Sequence, residues 1–155
     1  MSDTVIVYVT RTGNSRALAN GLGDMLKAPV HEVIDKTDRK GVLGFIKGGA
    51  DSSMKASPPI QDPGIELKGV HTVVLVQPVW ASNLCPPLRS WLLAHKEELK
   101  GVRLALLASH LGSPPEKFRA NVEKEFGALA AFAAITERSG AAEKESAVKA
   151  FAAQL

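Results

Sequence analysis

The sequence predicts an α/β protein: a doubly wound parallel sheet of five strands with helices on both faces. Three observations predict it. Apolar runs of strand length recur five times along the 155 residues, and amphipathic helical patterns separate them. Three of the runs, at residues 5–9, 72–76 and 103–108, are close to continuously apolar, which marks strands buried on both faces. The first run feeds straight into Thr10-Arg11-Thr12-Gly13-Asn14-Ser15 and then into a helical pattern. A strand, a short hydroxyl-rich loop and a helix N-terminus together make an anion site, because the first helical N–H groups have no intrahelical partner.

The elements follow in order. The first strand covers residues 4–9. A helix runs from Asn14 to Lys27 with Leu18, Leu22, Met25 and Leu26 on its inner face, and Pro29 helps to stop it. Residues 30–35 alternate and form a second strand near an edge. Parallel neighbours need a long crossover, so the connection from Lys36 to Lys68 is expected to hold a short helix around residues 41–46, flanked by loop. The third strand, residues 72–76, enters a loop at Gln77. Pro86 and Pro87 open the next helix, where Leu88, Trp91, Leu92, His95 and Leu99 fall at helical spacing. Residues 103–108 form the fourth strand. Ser113 and Glu116 have capping-box spacing, with Pro114 at the first helical position, and Phe118, Val122 and Phe126 face inward. Residues 130–136 form the fifth strand. A closing helix over 143–155 turns Val148, Phe151, Ala152 and Leu155 inward.

Length and composition fit one domain spanning residues 1–155. Hydrophobic residues at 45% and charged residues at 23% are ordinary globular values. The first strand begins within a few residues of Met1 and no apolar run approaches a membrane span, so a cytoplasmic protein is expected. Cys85, the single cysteine, excludes an internal disulfide and fits a reducing compartment. A net charge of +3 is too mild to indicate nucleic acid, and 5% aromatics equip the chain poorly for stacking bases. His31, His71 and His95 have no companion Cys, His or carboxylate at ligand spacing, so no metal site is expected. There is no G-x-S-x-G hydrolase elbow. The first loop also lacks the Lys of a Walker loop and the repeated glycines of a dinucleotide loop.

In doubly wound sheets, ligands sit at the carboxyl ends of the strands, at the switch in strand order. Three loops should converge there: residues 10–15, 77–84 and 109–113. The first offers the hydroxyls of Thr10, Thr12 and Ser15, with Gly13 allowing close backbone approach. The second offers Trp80 with Ser82 and Asn83, and the third offers Ser109, Gly112 and Ser113. A planar apolar ring carrying a phosphate tail fits that inventory. Simpler roles compete: a capped turn for the first loop, a loop-core filler for Trp80, and a hydrogen-bonded loop residue for His110. Trp91 reads as core and Cys85 as a small buried filler.

Taken together, these residues resemble the flavodoxin-like family of FMN-binding proteins, in its short-chain form. Thr10-Arg11-Thr12-Gly13-Asn14-Ser15 is similar to the family's phosphate loop. Pro78-Val79-Trp80-Ala81-Ser82-Asn83, followed by Pro86-Pro87-Leu88-Arg89, is similar to its ring-binding loop and next helix. The stretch from Arg39 to Gly49 resembles the corresponding loop of one enzyme-like branch. The resemblance implies sheet order 2-1-3-4-5 and FMN as the cofactor. It implies that Thr10, Thr12, Gly13, Asn14 and Ser15 hold the phosphate, with Arg11 beside it. Pro78, Val79, Trp80, Ala81, Ser82 and Asn83 would border the ring, Ser109, Leu111, Gly112 and Ser113 would close its pyrimidine side, and Lys47, Gly48 and Gly49 would reach its edge. His110 is the one candidate catalytic residue, as a proton donor. Two departures stand out: the chain lacks the strong acidity of many flavodoxins, and His110-Leu111 replaces a run of glycines.

Three functional readings follow from the resemblance. One is a carrier passing electrons through bound flavin to a redox partner protein. The second is an FMN-dependent NAD(P)H:quinone-type oxidoreductase with a small-molecule acceptor. The third is a flavodoxin-fold binding module without flavin, which the intact phosphate loop disfavours.

Overall fold

The computed structural model describes residues 3–37, 57–112 and 114–155. The helix expected around residues 41–46, the loop from Arg39 to Gly49 and Ser113 lie outside the described residues. The elements are β1 (Thr4–Tyr8), α1 (Asn14–Leu26), β2 (Val30–Glu32), β3 (Ile34–Asp35), β4 (Ile60–Gln61), β5 (Thr72–Pro78), α2 (Pro86–Ala94), β6 (Arg103–His110), α3 (Pro115–Phe126), β7 (Ala131–Thr136) and α4 (Ala141–Ala152).

Five strands form one parallel sheet in the order β2-β1-β5-β6-β7. Counted along that sheet alone, this is the expected order 2-1-3-4-5. The alternation of side chains across the strands divides the core in two. Val5, Val7, Val73, Leu75 and Leu106 face Leu88, Trp91 and Leu92 of α2 and Phe118 and Val122 of α3. Ile6, Tyr8, Val74, Val76 and Leu107 face Leu18, Ala19 and Leu22 of α1 and Val148 and Phe151 of α4. Both faces of the central strands are therefore buried, which explains their unbroken apolarity.

Several boundaries depart from the sequence reading. The strand expected over 30–35 is split. The Val33 N–H still donates to the Tyr8 carbonyl at 2.9 Å, but Ile34 and Asp35 leave to pair antiparallel with Gln61 and Ile60 in a second, two-stranded sheet. One alternating stretch thus serves two sheets. Gln77 and Pro78 belong to β5, and Ser109 and His110 to β6, because both strands continue in register past their apolar runs. Helix α2 stops at Ala94, with His95 as its C-cap, rather than running to Leu99. Pro114 is the N-cap of α3 and Pro115 its first residue, so the helix starts one residue later than the Ser113–Glu116 capping box requires. Met25, expected inward, is 39% exposed. No helix among the described residues is long and apolar enough to cross a membrane.

Gly23 fixes how closely α1 approaches the sheet. A Cβ there would lie 2.4 Å from Val30 Cγ2 and 3.2 Å from the Ala28 carbonyl oxygen, whereas a Cβ on Gly21 meets nothing within 4 Å. The Val30 branch is stiff and the carbonyl is main chain, so neither moves cheaply.

His95 is held between two carboxylates. Its Nε2 lies 2.6 Å from Asp62 Oδ2 and its Nδ1 2.8 Å from Glu98 Oε1, and its ring sits 4.9 Å from that of Trp91. This corrects the reading of His95 as a histidine without carboxylate companions. The set is a hydrogen-bonded clamp, and among the described residues no group of three or more such side chains is disposed to hold a metal. Burial pushes the His95 pKa down, but hydrogen bonds to Asp62 and Glu98 and the attraction of both carboxylates outweigh it, so the net shift is upward. With Ser90 Oγ donating to the Pro58 carbonyl at 2.7 Å, the clamp pins the segment around β4 to α2.

Two predictions follow from these contacts. Gly23→Ala is expected to destabilise the fold by about 1–3 kcal/mol through overpacking. Gly21→Ala should stabilise it by about 0.5–1 kcal/mol, the helix-propensity gain. Chemical denaturation of both variants checks the contrast, and equal effects would show that Gly23 is not at a close approach. The raised pKa of His95 means that its contribution is complete below the unfolded value of 6.5 and is lost as pH rises through the folded value. Wild-type stability should therefore fall over that range more than that of His95→Gln. Identical pH profiles would mean that the clamp does not contribute.

Candidate functional site

At the carboxyl ends of the sheet strands, a cavity of about 580 Å³ is lined by Thr10, Arg11, Thr12, Asn14, Ser15, Pro78, Val79, Trp80, Ala81, Ser109, His110, Leu111, Gly112 and Glu137. The three loops singled out in the sequence meet on it. It lies where the strand order turns, between β1 and β5.

The anion end is built by the start of α1. Gly13 is the N-cap at φ 94°, and no side chain caps the helix. The first intrahelical bond runs from the Ala17 N–H to the Gly13 carbonyl at 3.1 Å. The N–H groups of Asn14, Ser15 and Arg16 thus precede the helical ladder. Thr10 Oγ1 accepts the Gly13 N–H at 2.9 Å and so shapes the loop. Asn14 Nδ2 donates to Thr12 Oγ1 at 3.2 Å. Arg16 points elsewhere, its guanidinium bonded to Tyr8 and Glu32. Arg11 is therefore the Lys or Arg side chain on the cavity wall among the described residues. Gly13 shapes this end as the N-cap rather than as part of the wall.

The apolar end is built by β5 and the loop that follows. The Val79 N–H donates to the Ser109 carbonyl at 2.8 Å, which carries the sheet pairing into the loop. Trp80 and Asn83 then bridge across a tight turn whose central residues, Ala81 and Ser82, have φ of 50° and 56°. A turn with two left-handed central residues ordinarily takes Asn and Gly. Each non-glycine residue there costs about 1–2 kcal/mol.

Four groups hold the turn. The Asn83 N–H donates to the Trp80 carbonyl at 3.1 Å, and Asn83 Nδ2 donates to the Ala81 carbonyl at 3.1 Å. Asn121 Nδ2, from α3, donates to the Ser82 carbonyl at 2.8 Å. At the loop's base, the fully buried Gln77 accepts from the Cys85 N–H at 3.0 Å and from its Sγ at 3.3 Å, and donates to the Pro78 carbonyl at 3.0 Å. Cys85 is thus a buried structural residue. Ser82 and Asn83, expected to border a ring, form this turn and do not line the cavity, whereas Pro78, Val79, Trp80 and Ala81 do.

The third wall comes from β6 and β7. The His110 Nδ1 accepts the Gly112 N–H at 3.0 Å. In the neutral ring this places the proton on Nε2, leaving that atom as a donor. Leu111 is 58% exposed and sits on the cavity's rim. Ser109 Oγ donates to Glu137 Oε1 at 3.3 Å. The sequence reading missed Glu137. The same strand-end rule that picked out three loops, applied to the fifth strand, would have found it directly after Thr136.

The arrangement suits a ligand with two unlike ends. Hydroxyls, helix-start amides and Arg11 suit a phosphate, while Pro78, Val79, Trp80 and Leu111 offer apolar surface to a flat ring. The residues present therefore fit a flavin mononucleotide.

The fold is the flavodoxin-like fold, as comparison with solved structures shows. A candidate flavoprotein of Bacteroides eggerthii DSM 20697 superposes with a TM-score of 0.73 at 17% identity, over 95% of this chain and 93% of that one. A flavoprotein of Lactobacillus acidophilus NCFM, solved in complex with FMN, gives 0.69 at 16% identity, over 92% and 97%. The flavodoxin of Streptococcus pneumoniae TIGR4 gives 0.54 at 16% identity, over 98% and 96%. No protein-family model matches the sequence, and no curated protein matches it.

The tethering of the turn makes a prediction. Asn121→Ala removes the donor to the Ser82 carbonyl and should lower stability by about 1 kcal/mol. Ala81→Gly in the same background should recover part of that loss, because glycine accepts the left-handed conformation without strain. Denaturant midpoints of the single and double variants measure both, and simple additivity with no recovery would count against the tether.

Proposed function

We propose that this chain binds FMN and transfers electrons through it. One observation carries the reading: a single cavity joins the start of a helix with no side-chain cap, ringed by hydroxyls and an arginine, to an apolar wall bearing Trp80. The FMN-bound structure of the Lactobacillus acidophilus protein, which shares the fold, supports it.

Bound FMN would supply the one- and two-electron chemistry. The chain's own residues have separate tasks. Thr12, Ser15 and the first amides of α1 hold the phosphate, and Arg11 adds a charge-assisted contact. Trp80, Val79 and Pro78 pack one side of the ring and exclude water. His110, with its Nε2–H as the available donor, can supply a proton at the cavity. Leu111 on the rim gives a protein partner or a small-molecule acceptor such as a quinone an apolar contact. The protein is proposed to work in the cytoplasm as an electron carrier. Steady turnover of NAD(P)H with a quinone by the pure protein would instead make it an oxidoreductase.

The test is reconstitution. The purified protein, incubated with FMN and desalted, should retain flavin absorption bands, and a protein that stays colourless would refute the reading. Thr12→Val should weaken FMN far more than riboflavin, because only FMN carries the phosphate; equal losses would remove Thr12 from the phosphate site. Trp80→Ala should weaken both flavins by about 1–3 kcal/mol, the value of aromatic packing and burial. Fluorescence titration reads both ratios.

A further inference from the structure

We infer that the cleft between α1 and α4 is a second ligand site, which takes a short-chain apolar carboxylate. The cleft is a cavity of about 280 Å³ that adjoins the larger one through Asn14, Ser109 and Glu137. Ala17, Leu18, Gly21 and Met25 of α1 face Ile135 of β7 and Val148 of α4 across it. None of these apolar residues lines the larger cavity, so the site does not depend on what fills that one.

The shape of the cleft sets the body of the ligand. Helix α1 lines it from Asn14 to Met25, a length of about 16 Å at the helical rise. So small a volume spread over that length suits an extended chain rather than a fused ring. Gly21 makes the room. A glycine inside a helix weakens it relative to alanine. Gly23 is required by the close approach to Val30, but a Cβ on Gly21 would meet nothing within 4 Å. The missing side chain therefore serves no packing contact and leaves the middle of the cleft open. Met25, 39% exposed and unbranched, stands at the far end, where it can adapt to the tip of a chain.

The charges at the other end set the head of the ligand. Helices α1 and α4 each follow a strand of the parallel sheet and pack on the same face of it, so their starts lie side by side. Lys144, near the start of α4, lines the cleft, is half-buried and forms no ion pair among the described residues. Glu145 also lines it, but lies 3.4 Å from Lys149 and is neutralised there. Glu137 opposes a negative head, but it takes the Ser109 hydroxyl at 3.3 Å and stands at the seam with the larger cavity. Lys144 is thus a half-buried ammonium that needs an anion. With an apolar cleft running away from it, that anion is the carboxylate of a short alkyl chain.

The experiment titrates octanoate, octanol and octylamine in turn into the isotopically labelled protein and follows the amide shifts by NMR. Octanoate should give saturable shifts at residues 17–25 and 141–148, which line the cleft. It should bind about fivefold more tightly than octanol, as expected for a partly exposed ion pair, with octylamine weakest. Lys144→Met keeps an apolar stem and should bring octanoate down to the affinity of octanol, which itself should not change. Gly21→Leu fills the middle of the cleft and should abolish binding of both probes while the fold is kept. The inference is overturned if no shifts saturate, if they gather at residues 78–81 and 109–112 of the larger cavity, or if octylamine binds as tightly as octanoate. A folded Gly21→Leu that binds octanoate as wild type does also overturns it. If the leucine variant does not fold, an undiminished preference for octanoate over octanol in Lys144→Met overturns it.

Discussion

The parallel pairing of β1 with β5 is the constraint on which the rest of the structure depends. Parallel neighbours cannot be joined by a tight turn, so each strand must return through a crossover packed on one face of the sheet. The chain leaves β1 through α1 on one face and leaves β5 through α2 on the other. The two exits diverge, and a crevice opens between them. The register from Thr4 opposite Thr72 to Tyr8 opposite Val76 brings both strands to the same edge of the sheet, with β5 running two residues further to Pro78. The phosphate-type loop and the Trp80 loop thereby reach the same cavity from opposite sides.

Around that crevice the fold spends polar groups sparingly. Buried amides and hydroxyls are costly unless bonded, and the few present each fix one piece of the site. Gln77 closes the base of the Trp80 loop against Cys85. Asn121 reaches across from α3 to hold the left-handed turn. Thr10 shapes the turn before α1. The left-handed conformations at Ala81 and Ser82 are tolerated because these bonds over-determine the loop. Leu111 at the rim, by contrast, is 58% exposed and carries little structural duty.

Much of the fold was legible in the sequence because burial on two faces writes a strong signal. The runs at β1, β5 and β6 lack polar residues almost throughout, and their order with the helices admits few topologies. The place of the first loop was legible for a similar reason: a buried strand, a short turn with a glycine and a helix start follow one another directly. Pairings between distant segments were not legible. Ile34 and Asp35 join Ile60 and Gln61 across 25 or more residues, and nothing local marks that partnership. His95 finds Asp62 only in three dimensions. Gln77 and Ser109 read as loop residues because they are polar, yet both lie in strands, where tertiary partners satisfy their side chains. Asn83 looks like a ligand donor, but its side-chain amide bonds the Ala81 carbonyl of its own turn. Glu137 stood unnoticed because a lone glutamate after a short strand carries no motif.

The central claim is that the cavity at the β1–β5 switch holds FMN with its phosphate at the start of α1. The most direct measurement is an amide chemical-shift map recorded while FMN is titrated into the isotopically labelled protein. The account predicts that the large shifts gather at residues 10–15, 78–81, 109–112 and 137, with those at Asn14 and Ser15 much reduced when riboflavin replaces FMN. Shifts that gather on the far edge of the sheet, or shifts at residues 10–15 that are the same for both flavins, would contradict it.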